Sequence, residues 1–140
     1  DFRFDNVVLN PDNPFEVIGV LDWEMATIGD PLMDLGNSLA YWVEADDEGP
    51  FQMLRRQPTH RPGMLTRREV VDYYMEQSGF KADNFDFYEI YGLFRLAVII
   101  QQIYYRFYHG QTRDKRFAAF GHAANYLETR CQRLIAERSL

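Results

Sequence analysis

One stretch of this 140-residue chain reads as β structure and everything after it reads as helix, an asymmetry that limits the fold more than any other feature. Asn6-Val7-Val8-Leu9-Asn10 is a short apolar run, and Pro11-Asp12-Asn13-Pro14 is dense in turn residues. Phe15 to Leu21 is a second apolar run, rich in β-branched side chains. The pattern is a hairpin, with Asn6 at the mouth of one strand and Asp22 at the exit of the other. Antiparallel pairing brings those two ends together. From Pro31 onward the spacing changes. Leu32, Leu35, Leu39 and Trp42 form a stripe at three- and four-residue intervals, with Asp30 placed as N-cap and Pro31 at the first helical position. Thr66-Arg67-Arg68-Glu69 is a capping box opening a second helix to Gln77, closed by Ser78-Gly79. A long third helix runs from Asp83 or Asn84 to about Tyr108, and a last one spans about 113–137. The expected fold class is α+β, mostly α: a hairpin followed by about four helices.

Three polar residues stand out along the β-like stretch. Asp1, Asn6 and Asp22 are an acid, an amide five positions on, and a second acid at the end of an apolar run. Phosphoryl transfer asks for this set. It needs a carboxylate to orient or deprotonate a hydroxyl, and hard oxygen ligands for a Mg²⁺ that bridges phosphates. Asp and Asn also occur at strand ends simply because they form local turns. Three at this spacing, followed by Gly29-Asp30-Pro31 and Asp34-Leu35, favour the site.

This ordered set resembles the C-terminal half of the aminoglycoside phosphotransferase / choline kinase superfamily, which has a protein-kinase-like fold. The likeness is dense over the first forty residues and looser beyond. Phe94-Arg95 and the stretch from Tyr105-Arg106 to Gly110 look most like the subgroup of kinase domains fused to acyl-CoA dehydrogenases. The resemblance implies that Asp1 is the catalytic acid and that Asn6 and Asp22 hold Mg²⁺. It implies that Arg3 lies near the transferred phosphate, a position for which plain surface charge is the competing reading. It makes Asp34 a structural brace of the catalytic loop, and Glu24 either a support to the metal ligands or a residue facing the acceptor. It implies ATP as phosphate donor and a small-molecule hydroxyl as acceptor. Within the superfamily acceptors range from aminoglycosides and choline to hydroxyacyl-CoA esters, and the subgroup leans to the last.

Composition excludes several other classes. Aromatic content of 16% and hydrophobic content of 46% belong to a folded domain. The single cysteine, Cys131, permits no internal disulfide and reads as a small buried helix residue in a cytoplasmic protein. His60, His109 and His122 are scattered, without zinc spacing. The apolar stretch around Leu93–Tyr108 is interrupted by Arg95, Gln101, Gln102 and Arg106, so it is a core helix and not a membrane span. Residues 1–50 hold twelve acidic side chains against one arginine, and residues 51–140 hold nine against fourteen basic ones. An acidic first part fits a Mg²⁺ pocket and argues against nucleic acid as a partner. The acidic run Glu44–Glu48 reads mainly as solvated loop, with a cationic-substrate contact as the sharper alternative. The Arg- and Pro-rich segment 51–65 reads as a surface loop able to cover an acceptor.

Two parts of a kinase-like enzyme are not found. The sequence has no Gly-x-Gly-x-x-Gly, and its only lysines are Lys81 and Lys115. The glycine-rich loop and the lysine that pairs the phosphates belong to an N-terminal lobe. The expectation is therefore a C-terminal catalytic lobe over residues 1–140, whose partners are nucleotide, acceptor and a missing N-terminal lobe, and which is inactive alone. The alternative is a non-catalytic kinase-like binding domain. The sequence gives no oligomeric state.

Overall fold

The computed structural model describes residues 2–138, so Asp1 lies outside the described residues. A 3-10 turn at Phe4–Asn6 leads into β1, Val7–Asn10, which pairs antiparallel with β2, Asn13–Val20. The turn is tighter than the four turn residues imply: Asn10 pairs with Asn13, leaving Pro11 and Asp12 as the connection. Asn10 Oδ1 accepts from the Asp12 N–H at 3.0 Å and Asn13 Oδ1 from the Phe15 N–H at 3.3 Å, so side-chain amides serve the bend. The register slips between Val8 and Asn10, which increases local twist.

Five helices follow: α1, Pro31–Leu39; α2, Gly49–Gln52; α3, Arg67–Ser78; α4, Asp86–Tyr108; and α5, Phe120–Arg138. Several boundaries follow directly from cap chemistry. Asp30 accepts from the Leu32 N–H at 2.9 Å with Pro31 at the first helical position. Thr66 and Glu69 make the reciprocal capping box, and Gly79 closes α3 with φ 74°, the left-handed conformation that glycine adopts without penalty. The last helix begins later than periodicity implies, because residues Lys115–Ala119 form a 3-10 segment capped by Asp114. The one-turn α2 is also additional to the four expected helices.

The core forms between α4 and α5, with Ala40 and Val43 just past α1 and Phe51 of α2 packed against Leu93, Leu96, Ile100 and Leu127. The α1–α4 crossing depends on two glycines. A Cβ on Gly36 would strike the Tyr88 carbonyl, and one on Gly92 would strike the Gly36 carbonyl. Tyr88 then reaches back to donate its hydroxyl to Asp30 at 3.0 Å, joining the α1 cap to α4. Cys131 is buried as expected. The aromatic stretch at the end of α4 is only partly core, since Tyr105 and Tyr108 are exposed while Tyr104 packs against Gly121. No helix among the described residues is long and apolar enough to cross a membrane.

The acidic run after α1 is solvated only in part: Asp46 and Glu48 are exposed, while Glu44, Asp47 and Glu48 are paired with arginines of the chain itself. Asp47 is ion-paired to Arg67 at 2.6 Å and to Arg130 at 3.1 Å. Glu44 accepts the Arg67 backbone N–H and lies 3.3 Å from its guanidinium, and Glu48 pairs with Arg133 at 2.6 Å. Arg130 also lies over the buried Phe51 ring at 4.3 Å. The chain supplies its own cations to this run.

Candidate active site

The hairpin carries two of the candidate residues to one place. Val7 pairs with Val20, and one step further the Leu21 N–H donates to the Asn6 carbonyl at 2.8 Å. Asn6 therefore sits opposite Leu21, and Asp22 is the next residue along. Asn6 is buried, whereas Asp22 is exposed. Asp22 has φ 65° and ψ 47°, and it is the one non-glycine residue with positive φ among the described residues. Such a conformation is uncommon outside glycine and concentrates at functional positions, with Asp and Asn the best-tolerated occupants. It turns the chain sharply out of β2 into a 3-10 turn, Trp23–Met25, where Glu24 is exposed. The indole of Trp23 steadies this corner by donating to the Val20 carbonyl at 2.6 Å, although its ring stands in solvent.

The donor set suits a hard divalent cation. An Asp carboxylate and an Asn amide oxygen are the ligand types Mg²⁺ takes, the remainder being water and phosphate oxygens. A site of this kind needs no dense cluster of protein ligands. Accordingly, no group of three or more His, Cys, Asp or Glu side chains with metal-holding geometry occurs among the described residues.

Beside Phe2–Phe4 lies a cavity of about 390 Å³. Phe2, Arg3 and Phe4 form one wall, Asp34 and Trp42 another, and Tyr73 of α3 a third. The lining is mostly apolar, and the rings of Phe4 and Trp42 lie 5.5 Å apart. Arg3 lines this cavity. Its guanidinium lies 5.0 Å over the Tyr41 ring, and its Nε is 3.4 Å from Asp5. Asp34, on the first turn of α1, lines the same cavity as Arg3. Thus Arg3 and Asp34 come together on the cavity side of the loop, whereas Asn6, Asp22 and Glu24 belong to the hairpin end.

Sequence reasoning missed Gln57. It is buried, and its Oε1 accepts from the Phe4 N–H at 2.8 Å. No local pattern marks it, because its partner is 53 residues away in an unrelated turn.

Residues 1–70 match the phosphotransferase enzyme family. The chain belongs to that family. It is 38% identical over 116 residues to acyl-CoA dehydrogenase family member 10 of Mus musculus, covering 79% of this chain and 10% of that protein. It is 33% identical over 122 residues to acyl-CoA dehydrogenase family member 11 of Homo sapiens, covering 82% of this chain and 15% of that protein. The chain thus spans between 10 and 15% of the length of these curated relatives, and their names fit the subgroup the sequence resembles. No solved structure matches it. Membership of the family makes a kinase-like phosphotransferase the general class of this chain.

Proposed function

We propose that the protein carrying this chain transfers the γ-phosphate of ATP to a hydroxyl of a small molecule. The observation that carries the reading is the closure of the hairpin by the Leu21–Asn6 hydrogen bond, which sets the Asn6 and Asp22 positions side by side at one end. In this reading Asn6 and Asp22 would hold Mg²⁺, which when bound would neutralise charge on the phosphates. Asp1 orients the acceptor hydroxyl and takes up its proton. Arg3, on the cavity side, faces the acceptor or the phosphate it receives. Asp34 braces the loop, and Glu24 supports the metal ligands or faces the acceptor.

The acceptor enters the cavity beside Phe2–Phe4. Its apolar lining favours an acceptor with an apolar body, such as a hydroxyacyl thioester, over a polycationic aminoglycoside. The relatives, acyl-CoA dehydrogenase family members by name, point the same way. An N-terminal lobe carrying the glycine-rich loop and its lysine covers the hairpin. What supports this is an exposed apolar surface running through Phe15, Val17, Ile18, Trp23, Met25 and Ile28, of a kind that seldom stays in solvent.

The test is acceptor-stimulated release of ADP by the protein carrying this chain, in Mg²⁺, across hydroxyacyl thioesters, aminoglycosides and amino alcohols. The expected result is stimulation by the hydroxyacyl class. Nucleotide binding without transfer to any acceptor would instead identify a non-catalytic kinase-like binding domain.

A further inference from the structure

Residues 51–65 were expected to form a surface loop; most of them lie in the segment 53–66 between α2 and α3. Two of its polar side chains are buried, Gln57 at 6% exposed and Thr59 at 3%. Both are spent on backbone groups of other elements. Thr59 Oγ1 donates to the Val43 carbonyl at 2.8 Å. The Gln57 amide spans two segments: its Oε1 accepts from the Phe4 N–H at 2.8 Å and its Nε2 donates to the Tyr41 carbonyl at 3.4 Å. Phe4 lies within the loop bounded by Asp1 and Asn6, and Tyr41 lies just past the end of α1. The same two segments meet again through the Arg3–Tyr41 and Phe4–Trp42 ring contacts.

We propose that Gln57 is a positioning residue for phosphoryl transfer, an amide clamp that fixes Phe4, in the candidate catalytic loop, to the end of α1 and so holds that loop in place. The proposal rests on the functional reading above. An amide is the side chain the place requires. The N–H of Phe4 needs an acceptor, and the carbonyl of Tyr41 needs a donor. Glutamate satisfies the first and sets an oxygen against the second. Leucine satisfies neither and leaves a part-buried N–H without this acceptor. Gln57 supplies the amide hydrogen bonds between the loop and the end of α1, beside the ring contacts of Arg3 and Phe4; misplacement of a catalytic segment by about 1 Å is costly in rate.

The experiment compares Gln57→Leu and Gln57→Glu with the wild-type protein by two readouts. The first is amide hydrogen exchange at Phe4. Gln57→Leu is expected to speed it about tenfold while the amides of α4 and α5 keep their protection. Gln57→Glu, which retains an acceptor, is expected to change it less. Unchanged exchange at Phe4 in Gln57→Leu overturns the clamp, whatever the activity. The second is steady-state phosphoryl transfer. For Gln57→Leu kcat is expected to fall about 10- to 100-fold with the acceptor KM within about threefold. Gln57 also borders the acceptor cavity, so a raised KM with kcat intact overturns the proposal in favour of direct acceptor contact. An unchanged kcat overturns it outright. A wild-type protein that phosphorylates no acceptor removes the functional reading and the catalytic role together, and the exchange result then decides the clamp by itself.

Discussion

Burial by itself would raise the pKa of Asp47. The Arg67 hydrogen bond, the Glu44 backbone and the charges of Arg67 and Arg130 outweigh it and hold the carboxyl below its ordinary value. The unfolded carboxyl titrates near 3.9, and the folded one below it. The stabilisation is therefore fully present at neutral pH and lost as pH falls from about 4 through the folded value. Denaturant titrations across that range should show a loss in the wild-type chain that Asp47→Asn lacks. The variant itself leaves Arg130 buried without its carboxylate, and should lose about 3–5 kcal/mol. A loss under about 1 kcal/mol would show that water or Glu48 replaces the partner. Sequence alone marked Asp47 only as one acid in a run, because Arg130 lies 83 residues away. The place of Asp22 at the exit of β2 was legible at this scale, since a carboxylate after a β-branched run is a local signal. Its left-handed backbone was not, since most residues leaving a strand do so extended.

Elements were readable where their own ends determine them. The Asp30 cap, the Thr66–Glu69 box and the Gly79 stop are local hydrogen-bond chemistry, and the sequence states them directly. The crossing of α1 and α4 is not local. Its one clue was Gly92, the sole glycine in a 23-residue helix of bulky side chains. Gly92→Ala places a methyl against the Gly36 carbonyl and must spread the helices. It should cost at least about 2 kcal/mol, read as a shift in the denaturation midpoint, and an unshifted midpoint would contradict the crossing. Helix α3 is of another kind. None of its residues is buried, and it stands between the cavity of about 390 Å³ and a second, charged cleft of about 690 Å³. Its hold on the body is concentrated at its first turn, through Arg67. Its amides should exchange well ahead of those of α4 and α5. Equal protection would mean that α3 is packed more firmly than its exposure implies.

At the scale of the molecule, the two halves of the charge pattern meet instead of facing different partners. Arg67, Arg130 and Arg133 from the basic part close onto Glu44, Asp47 and Glu48 from the acidic part. Composition revealed the imbalance but not this pairing. The exposed hairpin face remains open, and with no glycine-rich loop in the sequence, residues 1–140 alone should show no phosphoryl transfer. Steady ATP-dependent phosphorylation of any acceptor by the isolated chain would contradict that. The central claim, that the hairpin end is the metal side of a phosphotransfer site, is tested most directly by Asp22→Asn in the protein carrying this chain. Asparagine tolerates the left-handed backbone and removes only the charge. The account predicts unchanged thermal stability and a fall in kcat of about 10²–10³-fold or more. Turnover like the wild type in a folded Asp22→Asn protein would contradict it.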